Sequence, residues 1–195
     1  MPLPLITLLS PVLKVYENNA DARPISRPLL GLLQDLHQTI IRFEVQLLST
    51  RHEGVIPRLE ISPNLLDGFF DDRDSIVTNS TMEKYLSLAC VYAAKIHLNS
   101  LAAACPFSSN NNQKLVNRLM ESLSQLNSRV PQVVDPATFI WLCFTGAAAA
   151  QRGKTWFLAI VGPVVMSLRG EELELVKCGL LRFYWLLQHL QNIDI

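Results

Sequence analysis

Apolar residues recur along this chain at intervals of three and four, the spacing of helices that turn one face inward. Between Ser26 and Thr50 the positions Leu29, Leu32, Leu33, Leu36, Ile40, Phe43 and Leu47 keep that interval. Ser26 supplies a hydroxyl for the N-cap, and the stretch from Gly54 to Pro57 ends the helix. Ahead of it, the turn-rich Glu17–Pro28 sets apart a short N-terminal apolar piece. Leu59–Phe70 reads as one or two shorter helices, followed by the acidic loop Asp71-Asp72-Arg73-Asp74. Ser80-Thr81-Met82-Glu83 has the form of a capping box, a hydroxyl followed three residues later by a carboxylate that reaches back to a free backbone N–H. It opens a long helix through Ala104, with Tyr85, Leu88, Ala89, Tyr92, Ile96 and Leu101 available to the core. Cys105-Pro106 ends that helix, and Ser108–Asn112 is a polar loop. Gln113–Asn127 is more clearly two-sided, with Leu115, Leu119, Leu123 and Leu126 set against Lys114, Asn117, Arg118 and Glu121.

The last third has a different pattern. Asp135-Pro136 starts a helix cleanly, because the Asp carboxylate accepts from free amides and a proline at the first helical position loses nothing. Two nearly uncharged blocks follow, Phe139–Ala150 and Trp156–Leu168, held apart by the basic turn Gln151-Arg152-Gly153-Lys154. The first is apolar on every side and is therefore predicted to be central. The second begins near Thr155 and runs to Ser167, with a bend expected at Gly162-Pro163. Both blocks are short enough and apolar enough to predict burial against each other. Gly170 precedes a final helix, Glu171–Gln191, whose first turn carries Glu171, Glu172 and Glu174 at the positive helix end. Nothing alternates with the period of a strand, and there is no internal repeat. The expectation is an all-α, irregular bundle of about six to eight helices around one core. Residues 1–25 form an extension, or the remnant of a longer helical region, and 26–195 form the helical domain.

A bilayer span needs about 20 consecutive apolar residues. Joining the two late blocks would place Arg152 and Lys154 at mid-depth, so no membrane contact is expected. Charged residues make up 17% of the 195, and 17 basic residues balance 17 acidic ones. A basic excess for reading nucleic acid is missing, and a neutral, charge-poor surface favours association. A protein partner, or further sequence N-terminal to this chain, is expected to cover part of it. The cysteines Cys90, Cys105, Cys143 and Cys178 lack Cys-x-x-Cys spacing, which excludes that route to zinc and suits free thiols in a reducing compartment. Met1-Pro2-Leu3-Pro4-Leu5 lacks the basic start of a secretory signal.

Candidate chemistry is sparse. Gly146 through Thr155 ends in Gly-Lys-Thr, but a phosphate loop needs four residues between its glycines and a strand before it. Here six residues intervene and a helix precedes, so a basic turn between helices is the better description. Asp71, Asp72 and Asp74 resemble the aspartate-rich magnesium motif of all-α terpene synthases, in which carboxylates one helical turn apart hold a diphosphate-bound metal. The usual Asp-Asp-x-x-Asp pattern would need an acid at Ser75, and no second motif follows. A metal-dependent enzyme on these aspartates is the alternative to a chain without catalytic groups; a plain interaction scaffold is a third possibility. His37, His52, His97 and His189 are widely separated and read as ordinary hydrogen-bonded residues. No serine sits in a Gly-x-Ser-x-Gly elbow. The aromatics Trp141, Trp156, Phe157, Phe183, Tyr184 and Trp185 fall at helical core positions, and a cavity between such helices is where a small effector would bind.

Three stretches together resemble the C-terminal regulatory region of fungal-specific transcription factors, the class whose DNA-binding part is a zinc binuclear cluster. They are Glu83–Leu98 with its Ala-rich run, Phe139–Phe157 with Ile140-Trp141-Leu142, Gly146-Ala147-Ala148, Arg152 and Trp156-Phe157, and Leu180–Trp185 in the closing helix. The likeness spans about Ser26 to Leu190. Tyr85-Leu86-Ser87 stands where the family usually opens its Ala-rich helix with a charge. The family's six-cysteine cluster, with its basic flanks and linker, is not in these residues. The resemblance implies a non-enzymatic regulatory domain in the nucleus that controls transcription through a protein partner or a small-molecule effector. It implies no cofactor and no direct nucleic-acid contact from this chain, which would be a truncated product, a fragment or a stand-alone relative.

Overall fold

The structure, a computed structural model, describes residues 7, 9–18, 27–50, 81–126 and 134–191. Among them seven helices account for almost everything and no strand occurs. They are α1 (Leu9–Asn18), α2 (Arg27–Thr50), α3 (Thr81–Ala102), α4 (Asn110–Leu126), α5 (Pro136–Ala149), α6 (Lys154–Ser167) and α7 (Gly170–Gln191). The predicted all-α fold is what these residues form. The two caps read at Ser26 and Ser80, and the helical segment Leu59–Phe70, lie outside the described residues.

Within residues 1–25, expected to be an extension or the remnant of a longer helical region, α1 contributes to the main core. Leu9, Val12, Leu13 and Tyr16 are buried, and the helix packs on α2, α5 and α7. Thr7 starts it through a reciprocal cap. Its hydroxyl oxygen accepts from the Leu9 amide (3.1 Å), and its own amide donates to Ser10 Oγ (2.9 Å). Pro11 is tolerated because first-turn amides have no partner inside the helix.

α3 and α5 are the two central helices. α3 is enclosed on most sides, from Leu86 through Leu101, and α5 is enclosed from Thr138 to Ala149. Small residues on α3 (Ala89, Ala93 and Ala94) let neighbouring helices come close. α3 ends in a backbone-satisfied turn. The Cys105 amide donates to the Ser100 carbonyl (2.9 Å), with Ala104 at φ 45° in the left-handed region where glycine is usual. Holding an alanine there costs about 1 kcal/mol. α4 starts earlier than predicted, at Asn110, and its inner face is Val116, Leu119, Leu123 and Leu126, with Leu115 only partly covered.

α5 begins as the sequence predicts. Asp135 Oδ2 accepts from the Thr138 amide (2.8 Å) and the Thr138 hydroxyl (2.9 Å), and Pro136 takes the first turn. α5 and α6 then form a tight hairpin. At Gly146 the Phe157 ring lies so close that an added Cβ would sit 2.3 Å from it. Gly153 caps α6 at φ 83°, a backbone state that only glycine adopts without strain.

Burial separates the two apolar blocks. α5 is central, but α6 is not filling. Only Phe157 and Val161 of α6 are buried, while Leu158 is 41% exposed and Met166 76% exposed. The expectation that both blocks bury each other is therefore corrected for the second, because among the described residues α6 packs mainly on α5. α6 also runs through Pro163 as one continuous helix.

Candidate functional site

The chemistry-bearing residues fall into a buried polar layer and an open groove. In the buried layer, Glu44 of α2 forms an ion pair with the Nε–H of Arg182 on α7, and both side chains are almost wholly enclosed. Burial pushes the Glu44 carboxyl above its ordinary range, against the pull of the guanidinium. Such a pair contributes little net stability but fixes which residues of the two helices face each other.

His97 of α3 is fully enclosed beside this pair. The Trp141 indole N–H donates to His97 Nε2 (3.3 Å), and the Thr145 hydroxyl meets the same nitrogen (3.1 Å). An indole can only donate, so Nε2 is the unprotonated nitrogen and the ring proton sits on Nδ1. Nδ1 has no hydrogen-bond partner among the described residues. Rings of Phe107 (4.9 Å, edge-on) and Phe183 (5.6 Å) enclose the imidazole, and burial pulls its pKa down to about 3. The adjoining cavity, lined by Thr7, Ile40, Glu44 and Leu186, has only ≈ 10 Å³ of room, about one water molecule. No organic substrate fits there.

The groove lies between α5, α6 and α7. α6 packs along α5 but makes few contacts with α7, so the hairpin and the last helix part. Ala147 and Ala148 of α5, Leu158 of α6 and Leu187 of α7 line it, and Lys154, the exposed first residue of α6, lines it at the end nearest the α5–α6 turn. The space is ≈ 390 Å³. Leu181 (64% exposed) and Tyr184 (62% exposed) continue the same apolar surface outward along α7.

Two glutamines hold the end that carries Lys154. Gln113 Nε2 donates to the Ala149 carbonyl (2.9 Å), and Gln113 Oε1 accepts from the Gln151 amide (3.1 Å). Gln151 Nε2 in turn donates to the Ser108 carbonyl (2.8 Å) and to Asn110 Oδ1 (2.9 Å). Asn112, fully buried, locks the start of α4 by donating to Ser100 Oγ (3.0 Å) and the Phe107 carbonyl (2.9 Å). The sequence places Asn110 and Asn112 in a polar loop, Gln113 at the start of a helix and Gln151 in a basic turn. Their spacing gave no sign that they meet.

The other sequence candidates are dispersed. Asp71, Asp72, Asp74 and His52 lie outside the described residues. Gly146 is interior to α5 and Gly153 caps α6, so the Gly146–Thr155 stretch is half a helix and a turn, not a phosphate-cradling loop. His37 Nδ1 meets Thr7 Oγ1 (2.8 Å), and His189 Nδ1 meets the Trp185 carbonyl oxygen (2.9 Å). All four cysteines are free; burial pushes Cys90 up to about 12 and raises Cys143 as well, so both are protonated thiols. Of the aromatics, Trp141 and Phe157 are core, Phe183 reaches both core and groove, and Tyr184 faces outward. Among the described residues no three His, Cys, Asp or Glu side chains gather as metal ligands, and no helix is long and apolar enough to cross a membrane. Comparison with protein-family models, curated proteins and solved structures found no match.

Proposed function

We propose that this chain is a non-catalytic, all-helical regulatory domain that controls transcription in the nucleus through contacts with a protein partner or a small effector. The observation that carries this reading is the uncovered apolar face of α6 and α7. Leu158, Leu181 and Tyr184 project from it, and the groove is recessed within it. An apolar surface of this kind, on a chain with few charges, marks a place where something else binds. Three buried ionisable groups are held in inert states: the His97 imidazole neutral, the Cys90 thiol protonated and the Glu44 carboxylate paired with Arg182. The resemblance of Glu83–Leu98, Phe139–Phe157 and Leu180–Trp185 to fungal regulatory regions supplies the transcriptional context. DNA contact then belongs to another module or another protein.

The test is a reporter assay with the full chain fused to an unrelated DNA-binding domain, on a promoter of intermediate activity. The native fusion is expected to shift reporter output. Leu181→Glu combined with Tyr184→Glu, both at exposed positions, is expected to abolish that shift while leaving the helical circular dichroism unchanged. Output identical to the DNA-binding domain alone would overturn the reading.

A further inference from the structure

The groove combines an apolar lining with one cation among the described residues, Lys154, near the α5–α6 turn. We propose that it holds one small amphiphile, an apolar chain bearing one carboxylate, with the carboxylate at Lys154 and the chain along Ala147 and Ala148. The inference rests on the α6–α7 face being a contact surface, and it names the occupant of the recessed part.

Space is the first support. The volume of ≈ 390 Å³ falls within the roughly 300–1,000 Å³ of small-molecule sites. Ala147 and Ala148 create it, since a larger side chain on that face of α5 would fill the gap between α6 and α7. Chemistry is the second. Among the described residues no charged side chain other than that of Lys154 lines the groove, and the Lys154 ammonium makes no hydrogen bond or ion pair with any of them. By contrast Lys14 is paired with Glu171, and Lys177 with Glu174. A lysine stem lies readily along an apolar wall with its ammonium in water, which suits an anionic head at the mouth. Placement is the third. The Gln113 and Gln151 hydrogen bonds tie the turn before Lys154 to α4 and its approach, so the backbone that carries the cation is fixed beside the groove.

Calorimetric titration of the full chain with decanoate, 1-decanol and decyltrimethylammonium, each below its micelle concentration, tests this. Decanoate is expected to bind as one equivalent, about fivefold tighter than decanol, the ratio set by one exposed ion pair. The cationic analogue should bind more weakly still. Lys154→Gln should bring decanoate to the level of decanol and leave decanol unchanged, and Ala148→Phe should remove both. If Ala148→Phe fails to fold, Lys154→Gln at its exposed position carries the test alone. Equal affinity for decanoate and decanol, an unaltered decanoate affinity in Lys154→Gln, or a groove blocked by self-association in sedimentation each overturns the proposal. The reporter assay reads the regulatory role separately. A lost head-group preference with an intact reporter response sinks the ligand and spares the role, and the reverse result does the opposite.

Discussion

Acid should unfold this chain through one residue before it unfolds it through carboxylates. His97 is fully buried, receives the Trp141 N–H on Nε2, and has its pKa lowered from 6.5 to about 3. The folded state therefore resists protonation where the unfolded chain accepts a proton. The stability tied to this ring is present above the unfolded value of 6.5 and is lost as pH falls towards 3. Between pH 7 and pH 5 the loss is about 2 kcal/mol, from a slope near 1.36 kcal/mol per pH unit over about 1.5 units. Glu44 and Asp135 act in the opposite sense. Their raised folded values give stability that is present at low pH and lost as pH rises through those values, so they partly mask the histidine in native protein. A non-titrating comparison removes the mask. His97→Gln keeps an oxygen that can accept the Trp141 N–H, and urea denaturation of both proteins at pH 7 and pH 5 isolates the difference. The native chain should lose about 2 kcal/mol more than the variant. Losses that agree within about 0.5 kcal/mol, the scatter of such extrapolations, refute the assignment of a buried, neutral imidazole.

Two further outcomes concern the packing that holds the groove. Arg182→Met should cost about 3 kcal/mol or more, because it strands the Glu44 carboxylate. Adding Glu44→Leu should recover most of that loss in urea denaturation, and a double variant as unstable as the single would show that the pair contributes directly. Gly146→Ala should cost about 1–3 kcal/mol, since its methyl collides with the fully buried Phe157 ring, and Phe157→Leu in the same chain should relieve part of the clash as read by melting temperature.

Local signals predicted the start of α5 well because Asp135-Pro136 acts within a few residues, and the structure shows it in that role. The exposed face of α6 was not legible, and the reason is physical. Apolar composition states that a helix prefers cover, not that the chain has a neighbour to supply it. α5 and α6 are similarly apolar, yet α5 lies among α1, α3, α4 and α6 while α6 has mainly α5. The buried polar layer was hidden for a related reason. Glu44 and Arg182 are 138 residues apart and His97 and Trp141 are 44 apart, and no periodicity within one helix connects them. The groove's alanines were visible, as Gly146-Ala147-Ala148. Their effect depends on α7 standing away from α6, which only the assembled helices show.

Stability and contact meet on α7, whose two faces do separate work. Its inner face (Arg182, Phe183, Leu186 and Leu190) is buried, and Leu181 and Tyr184 stand on the other side. The Glu44 pair makes sliding or rotating α7 along α2 costly, because any shift leaves a charge unpaired inside the core. Leu181 and Tyr184 line the groove beside the alanines of α5 on the opposite side of the same helix. A purely apolar inner face would hold α7 as strongly but less specifically, since Leu and Phe tolerate a one-residue slip that an enclosed carboxylate does not. The costly buried pair and the open groove are thus two consequences of one arrangement. Changes at position 182 should disturb fold and groove together, while changes at 181 and 184, exposed and lining the groove, should leave the fold intact.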